Sequence, residues 1–353
     1  MSRIDWLILR RVMARIALTL VIFFALLALV ESLNTTKLRV LNSLGGPPLA
    51  AAGIVLSALR NSLGALPVTV LIGTIAGVLD LQARREFMIV QALGISIWRV
   101  VRAPLILVLL LTAFASMGGE TLLILGNRAM PGEPINNQAG STWLEQHGKS
   151  GIYLLHAERL TADPPAIYGV TLFMTRSAER ERIESDRGDL VDGKWVFGTA
   201  VRYRLDSGSE ELSNFSIATQ TTRADLYLQA TGARDLTLPE LLESVASSLS
   251  EAEYRFVTET SLYRTLMLPL MVAGSVLIGF ATASGYRRKV NYGNVVLFGI
   301  VAGFVIFTIN EMAIRAGNSG VLPPLAATAG PALVSVLVGI TALLYSQDGT
   351  LRR

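Results

Sequence analysis

The sequence predicts an α-helical integral membrane protein, with six transmembrane helices and an antiparallel β-jellyroll domain inserted between helices 3 and 4. Three observations lead there. Apolar residues gather in runs near the roughly 20 that a helix needs to cross the hydrocarbon of a bilayer. Between about Gly126 and Arg234 those runs stop, and short segments alternate apolar and polar residues. Arginine and lysine collect at one end of successive runs, the asymmetry that orients membrane proteins.

The chain in order supports this. Of 353 residues, 51% are hydrophobic and 16% charged, and the apolar ones are clustered rather than spread. Arg3, Arg10, Arg11 and Arg15 precede a first span over Ile16–Leu33, with Glu31 at its far end and Lys37 and Arg39 beyond. This first run is long and lacks a small-residue cleavage site, so it reads as a retained anchor. The second span is Leu63–Leu81; the amphipathic AAAGIVLSALRNSLG before it extends it, and Pro67 bends it or marks its true start. The third runs over Val100–Ile124, with Pro104 in its first turn and Glu120 near its far end. The fourth, fifth and sixth are Leu262–Ala283, Asn294–Ile314 and Pro324–Tyr345. Thus 1–125 hold three spans, 126–235 the external β domain, and 236–353 a linker helix and three more spans.

Within the insert, GIYLLHAERL, AIYGVTLFMT, KWVFGTAVRYRL and ELSNFSIA have the period-two pattern of strands. Asp192-Gly193 is a two-residue hairpin signal, and Asp206-Ser207-Gly208 marks another turn. The core face is Ile152, Leu154, Tyr168, Val170, Leu172, Trp195 and Phe197, or the opposite faces of the same strands. Thr237 caps a helix over TLPELLESVASSL.

Between the second and third spans lies LQARREFMIVQALGISIW, with a helix over about 81–96. It is too short to span, so it turns back on one side. Its charged head, Arg84, Arg85 and Glu86, precedes an apolar stretch including Met88 and Leu93, and Gly94 is a plausible stop. Such a helix either lies on the membrane surface or docks into a partner's groove, where Glu86 pairs with an arginine. The Arg and Lys asymmetry places this connector and both termini in the cytoplasm and the β domain outside.

A catalytic centre is hard to find. Net charge is +4 from 31 basic and 27 acidic residues, too little to suggest a nucleic-acid binder, and there is no cysteine. His147 and His156 lie in no HExxH pattern and read as ordinary strand or loop histidines. Gly148-Lys149-Ser150 lacks the first glycine of a phosphate-binding loop, since Trp143 stands there, and no GxSxG elbow is present. Energy for any work must come from a partner. Lys37, Arg39 and Arg60 gather at the outer membrane edge, where they either contact an anionic lipid or anchor the helices by snorkelling, whereas Glu31 near the same edge and Glu120 each either face a polar cavity or cap a helix end.

Together these features resemble the lipopolysaccharide export permeases LptF and LptG. REFMIVQALGIS after the second span, GDLVDGKWVF in the insert, AEYRF before a span containing Leu268-Pro269, and GVLPPLAATAGPAL opening the last span carry the resemblance. Gln347-Asp348-Gly349 leans toward LptG. The resemblance implies a Gram-negative inner-membrane permease subunit that extracts lipopolysaccharide and passes it to a periplasmic bridge. Its implied partners are an LptF-like paralogue, an LptB-like ATPase dimer, an LptC-like single-span protein and an LptA-like bridge. No cofactor, metal or catalytic residue is implied. Arg84, Arg85, Glu86, Met88, Leu93 and Gly94 would couple to the ATPase, and Lys37 and Arg39 would face lipid A phosphates. The alternative is a membrane sensor or scaffold with an external β ligand-binding domain.

Overall fold

The computed structural model describes residues 3–86, 89, 94–129, 142–148, 151–162, 165–174, 181–204, 208–219, 226, 236–246, 252–284 and 292–351. The chain forms α1 (Arg3–Ser32), α2 (Thr35–Gly64), α3 (Leu66–Ala83) and α4 (Ile97–Phe114). A π-helical turn (Ala115–Gly119) leads directly into α5 (Glu120–Arg128). Strands β1 (Thr142–Gly148), β2 (Gly151–Ala162), β3 (Pro165–Met174), β4 (Glu181–Val191), β5 (Lys194–Arg204) and β6 (Gly208–Ala218) follow. Helices α6 (Leu238–Ala246), α7 (Ala252–Ala283), α8 (Tyr292–Asn318) and α9 (Pro324–Leu351) complete the described elements. Two compact units result: Met1–Gly132 with Glu259–Arg353, and Glu133–Thr258.

The expected class holds: apolar helices of spanning length, with an antiparallel sheet inserted mid-chain. The helix count differs. Seven helical segments among the described residues, not six, are long and apolar enough to cross a membrane. The additional one is Leu41–Gly64, which contains the piece AAAGIVLSALRNSLG expected to extend the second span. Gly45 and Gly46 break α2 with non-helical backbone just before Pro47 and Pro48. At its other end Ala65 keeps a right-handed helical conformation, and the Thr69 amide still donates to its carbonyl. Pro67 supplies no amide there, so the helix bends without a loop that would reverse its direction. Pro104 also departs from expectation. Ser96 caps α4, its hydroxyl accepting from the Trp98 amide, so Pro104 sits in the helix interior rather than its first turn.

Helix α3 is the hub of the helical unit. A Cβ added to Gly73 would lie 2.7 Å from the Ile16 Cα of α1, and one on Gly77 would lie 3.0 Å from the Val12 Cα. On other faces, Gly279 of α7 meets Thr74, and Gly303 of α8 meets Leu71 and Val68. Close backbone approach through small residues is how helices associate where no hydrophobic effect separates helix from lipid. Ile16, Leu71, Ile75, Val78, Val276 and Phe280 fill the resulting core. In contrast α1 exposes Leu18, Val21, Ile22, Leu26 and Leu29, and α8 exposes Leu297, Phe298, Val301 and Phe304. Such faces suit lipid or another apolar helix, not water.

The second unit is a six-stranded antiparallel sheet in the order β1-β2-β3-β4-β5-β6. Among the described strands, sequence neighbours are sheet neighbours. Short connections favour this order, because each strand folds back on the one before it. Asp192 (φ 48°) and Gly193 (φ 71°) both adopt left-handed backbone and join Val191 to its cross-strand partner Lys194, as a type I′ turn requires. Val170, Leu172, Trp195 and Phe197 are buried as expected. On β2 the opposite face wins: Tyr153, Leu155 and Ala157 are buried and Leu154 is exposed. The backbone amide of Thr237 donates to the Glu240 carboxylate at 2.8 Å, half of a capping box at the start of α6.

Replacing Gly73 by Leu should overpack the α1–α3 contact at a cost of about 1–3 kcal/mol or more. Thermal unfolding in detergent would show a lowered midpoint, whereas Gly330→Ala, a helical site with no atom near its added Cβ, should not lower it. In the sheet, burial pushes the Tyr153 phenol up to about 12, and the phenol donates to the Ala218 carbonyl at 3.0 Å. An unfolded chain releases that proton near pH 10. The stability contributed is therefore intact below about pH 10 and is lost as pH rises toward about 12. Denaturant unfolding should show a steeper fall between pH 10 and about pH 12 for the native protein than for Tyr153→Phe, and equal slopes would contradict this account.

Candidate functional site

The charged head of the connector after α3 does not stand free. Asp80, the acid of α3, sits one turn before that helix ends, beside the arginine-bearing start of α1. Arg15 Nη2 donates to Asp80 Oδ1 at 2.7 Å. Arg11 Nη1 and Arg84 Nε each approach Asp80 Oδ2 at 3.6 Å. Arg11 Nη2 lies 2.8 Å from Glu86 Oε1, so one guanidinium spans two carboxylates. Arg11 and Arg15 are four residues apart and share one face of α1, which the Gly73 and Gly77 contacts hold against α3.

Backbone geometry puts Glu86 in place. The Arg84 amide donates to the Asp80 carbonyl, and the Arg85 amide to the Gln82 carbonyl. Arg85 then takes a left-handed conformation, φ 60°, without being glycine. That conformation costs on the order of 1–3 kcal/mol and persists only where the surroundings hold it. The bend returns Glu86 toward α1. One oxygen, Oε1, meets Arg11; the other, Oε2, is buried without a hydrogen-bond partner among the described residues.

The same end is tied further. Arg99 of α4 lies 3.6 Å from Asp5 of α1. Gln82 donates through Nε2 to the Ala283 carbonyl at the end of α7. The cluster Arg11, Arg15, Arg84, Asp80 and Glu86 carries one excess positive charge and is partly buried. Its pairs therefore count for more than solvent-exposed ones.

Of the residues singled out from sequence, Arg84 and Arg85 are exposed and Glu86 is half-buried. Gly94 is exposed and left-handed, φ 72°, a conformation glycine adopts without cost. Met88 and Leu93 lie outside the described residues. So does the side chain of Lys37, whose backbone belongs to α2. Arg39 is exposed, while Glu31 and Arg60 are half-buried. His156 packs its ring 4.7 Å from that of Trp143, and the side chain of His147 lies outside the described residues.

Sequence reasoning left Arg11, Arg15 and Asp80 unconnected. The available signal was one acid in an otherwise apolar span and two arginines at helical spacing in another. A second pair joins spans at Glu120, the first residue after the π-helical turn. Arg264 Nη2 donates to its Oε1 at 3.0 Å, and Thr265 Oγ1 to its Oε2 at 3.4 Å. Glu120 is therefore a tie between α5 and α7 rather than a helix-end cap.

The chain matches the family model described as lipopolysaccharide export system permease LptF/LptG over residues 6–345, both units included. No curated protein matches it significantly.

Asp80→Asn should leave three guanidiniums around a neutral amide and cost about 1–3 kcal/mol. Adding Arg15→Gln should recover part of that loss, because the two residues share one interaction. Thermal midpoints of the two single variants and the double variant in detergent measure this, and strictly additive losses would contradict it.

Proposed function

The chain belongs to the LptF/LptG family of lipopolysaccharide export permeases, and from that premise we propose that it is the membrane half of an ATP-driven exporter. In this reading the exporter draws lipopolysaccharide out of the inner membrane and passes it to a periplasmic bridge. The family match along nearly the whole chain carries the reading. The protein is a multi-pass transport subunit of that membrane. ATP hydrolysis belongs to a partner ATPase dimer, which grips the connector after α3 through Arg84, Arg85, Glu86, Met88, Leu93 and Gly94.

Two features support the topology. Taken as one crossing bent at Pro67, the second half of α2 and α3 reduce seven apolar segments to six crossings, which supports both termini lying on one side. Arg10, Arg11, Arg15, Arg84, Arg85, Arg99 and Arg102 lie toward one end of α1, α3 and α4, an asymmetry that supports a cytoplasmic assignment for that end and a periplasmic one for the β unit. The exposed apolar faces of α1 and α8 suit a paralogous permease or a single-span helix as neighbours as well as lipid. At the outer edge, Lys37, Arg39 and Arg60 are the cations that would meet lipid A phosphates, and Glu31 belongs to the same lipid-binding set. Within the pair, the Gln347-Asp348-Gly349 ending favours an LptG-like reading over an LptF-like one.

Purification of the chain from its native membrane in mild detergent, with mass spectrometry of whatever accompanies it, tests the proposal. An ATPase subunit, a second multi-span permease and lipid A species are expected together. Recovery of the chain alone, under conditions that preserve other membrane complexes, would favour a membrane sensor or scaffold instead.

A further inference from the structure

We propose that Arg11 is a positioning residue that carries movement of the connector after α3 into α1, with Glu86 as the joint between them. The inference rests on the exporter reading and adds to it a specific mechanical link inside this chain.

The observations converge on one carboxylate. Glu86 Oε1 is held by Arg11 Nη2 at 2.8 Å, whereas Oε2 is buried with no partner among the described residues. The residue immediately before it, Arg85, keeps a left-handed backbone that a non-glycine residue adopts at a cost. Strain retained at that position signals that the direction of Glu86 is being enforced. The other terminal nitrogen of the Arg11 guanidinium faces Asp80 Oδ2 at 3.6 Å. Arg15, one helical turn further along α1, fixes Asp80 Oδ1. A single planar guanidinium therefore joins the last turn of α3 to the third residue of the connector, across the bend between them.

This arrangement has a consequence for force. A charge-assisted bond between an arginine and a carboxylate has fixed geometry, so it resists sliding as well as separation. A pull on the connector then reaches α1 directly, and α3 through Asp80 as well as through the backbone. With the link absent, the same pull acts on α3 alone through the covalent chain, and α1 follows only by apolar packing.

The test uses the assembled transporter in liposomes containing lipopolysaccharide and measures lipid extracted per ATP hydrolysed. The chains compared are the native protein, Arg11→Ala, Glu86→Ala and the double variant. Arg11→Ala is expected to assemble and to hydrolyse ATP while its lipid-to-ATP ratio falls about tenfold. The double variant is expected to be no worse than Glu86→Ala alone, because Arg11 acts through Glu86. An unchanged ratio in Arg11→Ala overturns the assignment, as does a double variant whose loss is the product of the two single losses. A purely structural role would lower the amount of complex and leave the ratio intact. If Arg11→Ala does not assemble, Arg11→Met, which keeps an unbranched stem without the charge, is judged by the same ratio. Failure of both to assemble makes Arg11 a folding residue and overturns the proposal. A native complex that releases no lipid with ATP sinks the exporter reading itself, an outcome distinct from a working exporter indifferent to Arg11.

Discussion

The close approach of α1 to α3 at Gly73 and Gly77 is the contact on which the helical unit depends. With backbone this near, Ile16 and Val12 lie directly on α3, and the buried faces of α7 and α8 close over its remaining sides through Gly279 and Gly303. In a bilayer, apolar side chains gain nothing by leaving lipid for a neighbouring helix, so dispersion contacts across such small-residue seams must do the joining. A larger side chain at either glycine would open the seam and withdraw the partners that α3 holds.

The charged cluster is a product of that seam. Arg11 and Arg15 face Asp80 and Glu86 only because α1 lies against α3 at the right height. Three arginines near the end of a membrane helix would otherwise extend to the headgroup layer. Here two of them turn inward to carboxylates, and the arrangement converts a sequence of local charges into a connection between separate helices. The Glu120–Arg264 pair is a second example at a different position, where a π-helical turn supplies the extra residue before the acid. Turns of that kind recur in helices at functional positions, since they rotate the following side chains relative to the preceding ones.

Much of the architecture was legible in the chain, for reasons that can be given residue by residue. The apolar runs are long enough that composition alone marks them as spans. Asp192-Gly193 names its own turn, because few residue pairs tolerate two successive left-handed conformations. The charged head at Arg84–Glu86 between two spans marked the connector. Other features were not legible. Strand β4 carries Glu181, Arg182, Glu184, Asp186 and Arg187, too polar for a period-two reading; these charges are accommodated by pairs such as Arg204 with Glu181 at 2.8 Å. The buried face of β2 was open because Leu154 and Leu155 are both apolar, and only packing against β3 chose Leu155. The helix start at Ile97 depended on the Ser96 cap, which moved Pro104 from a first turn into the interior.

By itself the sequence determined which segments are helices, where the sheet is inserted, where its tightest turn falls and which short stretch stands between two spans. Those properties follow from composition and periodicity over a few to twenty neighbouring residues, a range that the chain displays directly. Tertiary structure decided that Arg15 meets Asp80 across 65 positions and that Arg264 meets Glu120 across 144. It also decided that Arg11 bridges Asp80 to Glu86. These outcomes depend on the rotation and height of whole helices against one another. Backbone approach at a few glycines sets both, and a linear reading contains no measure of that approach.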